Sequence, residues 1–208
     1  VSLAGTDADN YSVAATGATT ADITPRSLVM SYTGISKVYD GGTTASVTST
    51  DNRVSGDSLS VQESAAFTDK NAGVGKTVNV SGISLSGTDA ANYSVAATAT
   101  TTADITPRAL AVSYTGDNKV YDGGTVATVA TSDDRVAGDV LSIARSAAFA
   151  DKNVGTGKAV AVSGVSLSGT DAANYTTSAT GSTTADITPR TLNVTYTGVT
   201  KVYDGLLD

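Results

Sequence analysis

Nineteen aspartates and one glutamate carry most of the side-chain chemistry this sequence offers. It has no histidine, cysteine or tryptophan. Without histidine no Ser-His-Asp or Cys-His nucleophile can be built, and no His- or Cys-ligated metal can bind. An aspartate-only hydrolase needs two carboxylates facing each other across a cleft, and nothing in the spacing pairs them. An enzyme is therefore not expected. Aspartate and asparagine oxygens can hold a hard cation, so Ca2+ is the metal these residue types admit. The loop from Gly87 to Tyr93 offers Asp89 and Asn92, and its copy runs over 169–175. Further donors sit at Asp51, Asp57 and Asp69, and at Asp133, Asp139 and Asp151. No DxDxDG loop is present and bidentate glutamate is missing, so closure of Asx-turns is the preferred reading. No catalytic, cofactor or metal residue is assigned.

Other motifs have similarly plain readings. Tyr39-Asp40-Gly41 and Tyr121-Asp122-Gly123 each precede a second glycine, a tight-turn signal. The tyrosine is expected to anchor the end of a domain with its hydroxyl paired, and Lys37 to meet a nearby carboxylate. The alternative is an exposed Tyr-Asp contact for sugar or protein. Lys70, Lys76 and Lys119, with the asparagines, raise a Lys–Asn isopeptide crosslink, which needs a buried lysine, asparagine and carboxylate in contact. Asn10, Asn79, Asn92, Asn174 and Asn193 begin Asn-x-Ser/Thr triplets; a chain this rich in Ser and Thr yields about two or three by chance, and the repeat multiplies one of them, so glycosylation is weakly indicated. The threonine run at 97–102 reads as a strand with a solvated face.

These residues sit in a chain of 208 residues in which Ser and Thr supply 58 and Val 24, while Leu supplies 10. Helix formers other than alanine are scarce, so β-structure is expected. A net charge of -7 disfavours nucleic acid and anionic membrane surfaces. No stretch is long and apolar enough to insert in a membrane as a helix.

Everything recurs at 82 residues. ADITPR places its proline at Pro25, Pro107 and Pro189, and KVYDG its tyrosine at Tyr39, Tyr121 and Tyr203. Residues 27–108 and 109–190 align without a gap and match at 55 of 82 positions. The expected organisation is two whole repeats, 27–108 and 109–190. Residues 1–26 are expected to end a preceding repeat and 191–208 to begin a following one, so a longer array is expected. Leu206-Leu207-Asp208 departs from the repeat pattern.

Within a repeat, period-two alternation predicts five to seven strands. Leu28, Met30 and Tyr32 mark the first, Ala45 and Val47 the second, Leu59 and Val61 the third. Val78 and Val80 mark a fourth that runs on towards Ile83 and Leu85; the last runs from Tyr93 to Ile105. Only 63–67 could form a helical turn. The expected fold is all-β: tandem small β-sandwich or β-grasp-like domains stacked end to end into an elongated rod. The junction supports stiffness, because Pro107 fixes its own φ, pushes Thr106 to extended geometry and has no Gly/Ser linker beside it.

KVYDGGT at 37–43 and 119–125, GTDAANY at 87–93 and 169–175, and the ADITPR-x-L junction resemble the YDG repeat and its relatives, the MBG domains. The resemblance covers the whole chain. It implies repeats of long bacterial surface adhesins similar to filamentous-haemagglutinin proteins exported by two-partner secretion. The implied location is secreted or cell-surface, and the implied role is a stalk or spacer that projects a distal binding region. Such a stalk serves attachment to cells, as in a biofilm, to matrix or to a host. The alternative is a multivalent module whose repeats each contact polysaccharide or a host protein weakly. Expected partners are neighbouring repeats of the same chain.

Overall fold

A computed structural model describes residues 1–14 and 16–206. Leu207 and Asp208 of the divergent ending lie outside the described residues. The chain is all-β, with the two repeats built alike. The first contains β1 (Arg26–Ser27), β2 (Met30–Ile35), β3 (Lys37–Val38), β4 (Thr44–Asp51), β5 (Ser60–Phe67), β6 (Gly73–Ser86), β7 (Tyr93–Ser94) and β8 (Ala99–Thr106). The second contains β9 (Arg108–Ala109), β10 (Val112–Gly116), β11 (Lys119–Val120), β12 (Val129–Asp133), β13 (Ser142–Phe149), β14 (Gly155–Ser168), β15 (Tyr175–Thr176) and β16 (Gly181–Thr188). Among the described residues, every strand pairing stays within one repeat, and none involves 1–25 or 191–206.

In the first repeat the strand order is β2-β4-β5-β6-β8-β3. The two outer strands of that order are consecutive in the chain, separated only by Ser36. The sheet therefore rolls on itself: β2 runs antiparallel to β4 on one side, and β3 runs parallel to β8 on the other. The faces of the small sandwich are joined through this kinked path. The second repeat keeps the pattern, but its β4–β5 equivalent shrinks to one bridge, Val126 to Ala148. The roll lets β2 lie close to β8, and glycine permits it. A Cβ on Gly34 would come within 2.5 Å of the Thr102 carbonyl oxygen, and one on Gly116 within 2.6 Å of that of Thr184.

The apolar spacing of β6 explains its length. Val78 and Val80 point inward, then the inward positions skip to Ile83. A bulge opposite Gln62 to Ser64 absorbs the extra residue, and Gly82 there has φ +65°. One strand of 14 residues thus keeps both apolar sets in the core. The one segment that could have formed a helical turn, 63–67, is strand. Val61, Glu63, Ala65 and Phe67 alternate on the inner side of β5, and pairing with β6 uses the backbone. The short helical turns fall at Ala8–Asn10, Ala90–Asn92 and Ala172–Asn174 instead.

Pro107 alone separates β8 from β9. The chain on each side is held: Thr106 accepts the Tyr39 N–H at 2.9 Å, and Leu110 donates its N–H to Thr176 at 2.7 Å. The core of the first repeat (Tyr39, Phe67, Val78, Ile105) continues without a break into Leu110, Leu141 and Tyr175 of the second.

The close passage of β2 over β8 yields the first prediction. Gly34→Ala or Gly116→Ala forces backbone apart and should cost about 1–3 kcal/mol. Gly42→Ala, whose added Cβ would meet its nearest atom at 3.4 Å, should cost less. Urea unfolding midpoints of the three variants would check this; equal losses would contradict the rolled closure.

Candidate functional site

The only place where buried polar chemistry gathers from both repeats is the contact between them, among the described residues. Its centre is Asp139, 7% exposed, in the turn before β13. Asp139 Oδ2 accepts the Tyr39 hydroxyl at 2.8 Å and the Tyr175 hydroxyl at 2.7 Å. Its Oδ1 receives the Lys70 ammonium at 2.7 Å, and the same ammonium lies 3.2 Å from Asp171 Oδ1. Tyr39 and Lys70 belong to the first repeat; Asp139, Asp171 and Tyr175 belong to the second.

Local sequence explains each placement. β3 ends at Val38, and Asp40 and Gly41 turn the chain at once. Gly41 has φ +80°, and Asp40 accepts the Gly42 N–H at 2.8 Å, closing the turn. This swings the Tyr39 ring to the end of the repeat, where it is 1% exposed. Lys37 holds the turn through Asp40 and the Gly42 carbonyl, each at 2.8 Å. On the other side the helical turn at Ala172–Asn174 delivers Tyr175, whose hydroxyl also accepts the Val136 N–H at 2.8 Å. The two rings meet edge to face with centroids 5.5 Å apart. Asn174, 2% exposed, accepts the Ala72 N–H at 2.8 Å and donates to Asn71 at 3.3 Å.

The electrostatics follow from burial. Burial pushes the Asp139 carboxyl up, but Lys70 and the two tyrosine hydroxyls outweigh it and hold the carboxyl below the ordinary range. Burial, with the Asp139 charge added, pushes Tyr175 up to about 12 and also raises Tyr39. Hydrogen bonding to Asp139, then to Tyr39 and Asp171, raises the Lys70 ammonium further. The arrangement stabilises charges already present. It offers no neutral amine and no free carboxyl for acid–base work.

The residues singled out by sequence fall as follows. Tyr39 is the paired anchor at a repeat end, and Lys37 meets Asp40, both as read. Asp89 closes its loop by accepting the Ser58 N–H at 2.8 Å, as Asp171 does for Val140 at 2.9 Å. The other acidic oxygens considered for Ca2+ are dispersed. Asp51 and Asp133 are gripped by Arg53 and Arg135. Asp69 and Asp151 pair with Lys76 and Lys158, and Asp57 accepts the Tyr93 hydroxyl. Among the described residues no three acidic side chains converge on one point. Between Asp139 and Asp171 the cation is the Lys70 ammonium. Lys76 and Lys119 likewise meet carboxylates, at Asp69 and Asp122, so these lysines sit in ion pairs. Asn10, Asn79, Asn92 and Asn193 are exposed, whereas Asn174 is shut inside the contact. Thr100 and Thr102 lie on the solvated face of β8.

Sequence reasoning listed Asp139 as a cation donor and Lys70 as a crosslink candidate, and did not join either to Tyr39. A signal existed. Tyr39, Lys70, Asn71, Asp139, Asp171, Asn174 and Tyr175 all fall at positions identical in the two repeats.

A family model described as the YDG domain matches residues 24–103 and again residues 106–185. No curated protein and no solved structure matches the chain.

The lowered Asp139 carboxyl gives the contact a pH dependence of definite sign. Its stabilisation is complete above the unfolded value near 3.9. It is lost as pH falls through the lower folded value. On the alkaline side, the raised Tyr175 contributes fully below about 10 and is lost as pH rises through about 12. Asp139→Asn should cost about 2 kcal/mol at pH 7, the scale of hydrogen bonds to a charged group. That difference from wild type should shrink below pH 4. Urea titrations of both proteins from pH 2 to 7 would test it; a difference independent of pH would contradict the assignment.

Proposed function

The chain belongs to the YDG-domain family, and on that premise we propose that its two tandem domains are a stiff spacer in the stalk of a secreted bacterial surface adhesin. The reading extends to a parent protein similar to the filamentous-haemagglutinin adhesins. There the repeats would hold a distal binding region away from the cell for attachment to other cells, matrix or host. The role is mechanical rather than catalytic.

The observation that supports this best is the contact centred on Asp139. A spacer transmits position only if neighbouring domains resist bending. Here one buried carboxylate takes bonds from two tyrosines and a lysine contributed by both domains, and Pro107 leaves no slack between them. A flexible tether would carry Gly and Ser at that point. With about 3.3 Å per strand residue, each repeat would add roughly 30–40 Å to the reach. The alternative, direct weak binding by every repeat through its YDG tyrosine, is disfavoured at the internal position, because Tyr39 is consumed there.

Small-angle X-ray scattering of this chain tests the proposal. The expected result is an extended particle whose maximum dimension is unchanged by a Ca2+ chelator. Tyr39→Ala should shorten its mean dimension by letting the domains bend. A compact particle, or one unaffected by Tyr39→Ala, would count against the spacer. Collapse on chelation would move the stiffening to a metal.

A further inference from the structure

The two repeats differ on one flank in a way that leaves an opening in the first. There β2 begins, the segment 95–98 leads into β8, and β6 bends at its bulge. Leu28, Met30, Tyr32, Ile83, Val95 and Ala99 line a recess of about 230 Å3. Every residue of its lining is uncharged. The Tyr32 hydroxyl is closed off from solvent, so Tyr32 turns its ring to the recess rather than its oxygen.

The second repeat shows what shape such a space accepts. Gly181 stands there in place of Ala99, and the Tyr114 ring lies over it. A Cβ on Gly181 would come within 2.4 Å of Tyr114 Cε2. Ala99 carries that Cβ, so Tyr32 is barred from the position Tyr114 takes, and the recess stays open. The neighbouring positions change with it. Val95 and Ala96 of the first repeat are Thr177 and Ser178 in the second. The repeat that holds its own ring there is polar at the mouth, and the repeat that does not is apolar.

The opening is independent of the joint between domains. Val29, Ala96 and Thr98 at its rim are exposed. Their counterparts Ala111, Ser178 and Thr180 are exposed too, in a repeat that has another seated on its N-facing end. A seated neighbour therefore does not reach this flank.

We propose that the recess binds one small, uncharged aromatic molecule of the size of phenol or indole. An apolar cavity of about 150 Å3 already accepts a benzene ring. An aromatic acid would carry its carboxylate against an apolar wall, with no cation to meet it. The ligand buries few atoms, so a dissociation constant of about 0.1–1 mM is expected.

Met30 is the only methionine of the chain and lines the recess, so its isotope-labelled methyl gives a single, assigned NMR signal. Titrating the whole chain with indole should move that signal along a saturable curve. Cyclohexanol, of similar size but not flat, should move it less. Ala99→Gly should let Tyr32 swing into the recess, as Tyr114 does over Gly181, and weaken indole about tenfold. Val95→Thr/Ala96→Ser, which leaves the tyrosine where it is, should also weaken it. All three changes install residues that the second repeat carries at the same positions, and urea unfolding checks that each variant remains folded. Should Ala99→Gly not fold, the double variant decides. Absence of a saturable Met30 shift would overturn the site. So would a shift that the folded variants leave unchanged. An equal response to cyclohexanol would overturn its preference for an aromatic ring.

Discussion

A carboxylate removed from water must be paired from several sides or it destabilises the fold. Asp139 meets this demand with groups that no single repeat possesses. Tyr175 and the backbone around it come from its own repeat, while Tyr39 and Lys70 come from the one before. Separating the repeats would leave Asp139 with one hydroxyl, return Lys70 to water and expose two tyrosine rings at once. Hydrophobic contact alone would let the domains slide, since it has no direction. The charge-assisted bonds fix the register of one domain on the next, and the edge-to-face rings set the angle between the tyrosines.

The interior of each repeat is arranged to bring these groups to its ends. Kinking between β2 and β3 lets one chain segment serve both sides of the roll, and it delivers Tyr39 just where the sheet stops. Lys37, above the Phe67 ring at 5.7 Å, ties that turn back to the core. At the opposite end, Arg53 and Arg135 clasp Asp51 and Asp133 and reach the carbonyls of Leu59 and Leu141. Those arginines brace the turns that carry Asp57 and Asp139. The thin core of such a small domain is thus extended by its neighbour: Leu110, Leu141 and Tyr175 pack against Phe67 and Ile105.

Much of this was legible in the sequence. Alternation located the strands, and the skip from Val80 to Ile83 lies in the written pattern, although a bulge was needed to interpret it. The turn chemistry of Asp40-Gly41 and the stiffness of Thr106-Pro107 follow from local rules, and local rules are what single sequences report well. The one segment left open to a helical turn shows the limit of those rules. Glu63-Ser64-Ala65-Ala66-Phe67 is a fair helix by propensity, but strand pairing on β6 decides it. The joint was not legible, because its partners are distant. Tyr39 and Asp139 lie 100 residues apart, and the period shows that repeats exist without showing which of their faces meet. An aspartate in a Gly-Asp turn reads equally as a turn residue, a cation ligand or a buried acceptor.

The positions at which the two repeats differ sharpen that point. On the sides of the fold, substitution is accommodated by rebuilding. Ser36 accepts the Asp104 N–H at 3.0 Å, and Asn118 the equivalent Asp186 N–H at 2.7 Å. Glu63 takes the Ser49 hydroxyl, whereas Arg145 in its place bonds the Val129 carbonyl. Ala99 becomes Gly181, and the Tyr114 ring fills the space, where a Cβ would meet it at 2.4 Å. At the ends no such exchange occurs among the groups that bond through Asp139. A side position answers only to its own repeat, so a change there can be compensated locally. An end position must fit a face carried by a different repeat, and altering it alone strands a buried partner. A heterologous joint of this kind keeps the two ends matched while the flanks diverge, and lets domains of differing surface follow one another in the same register.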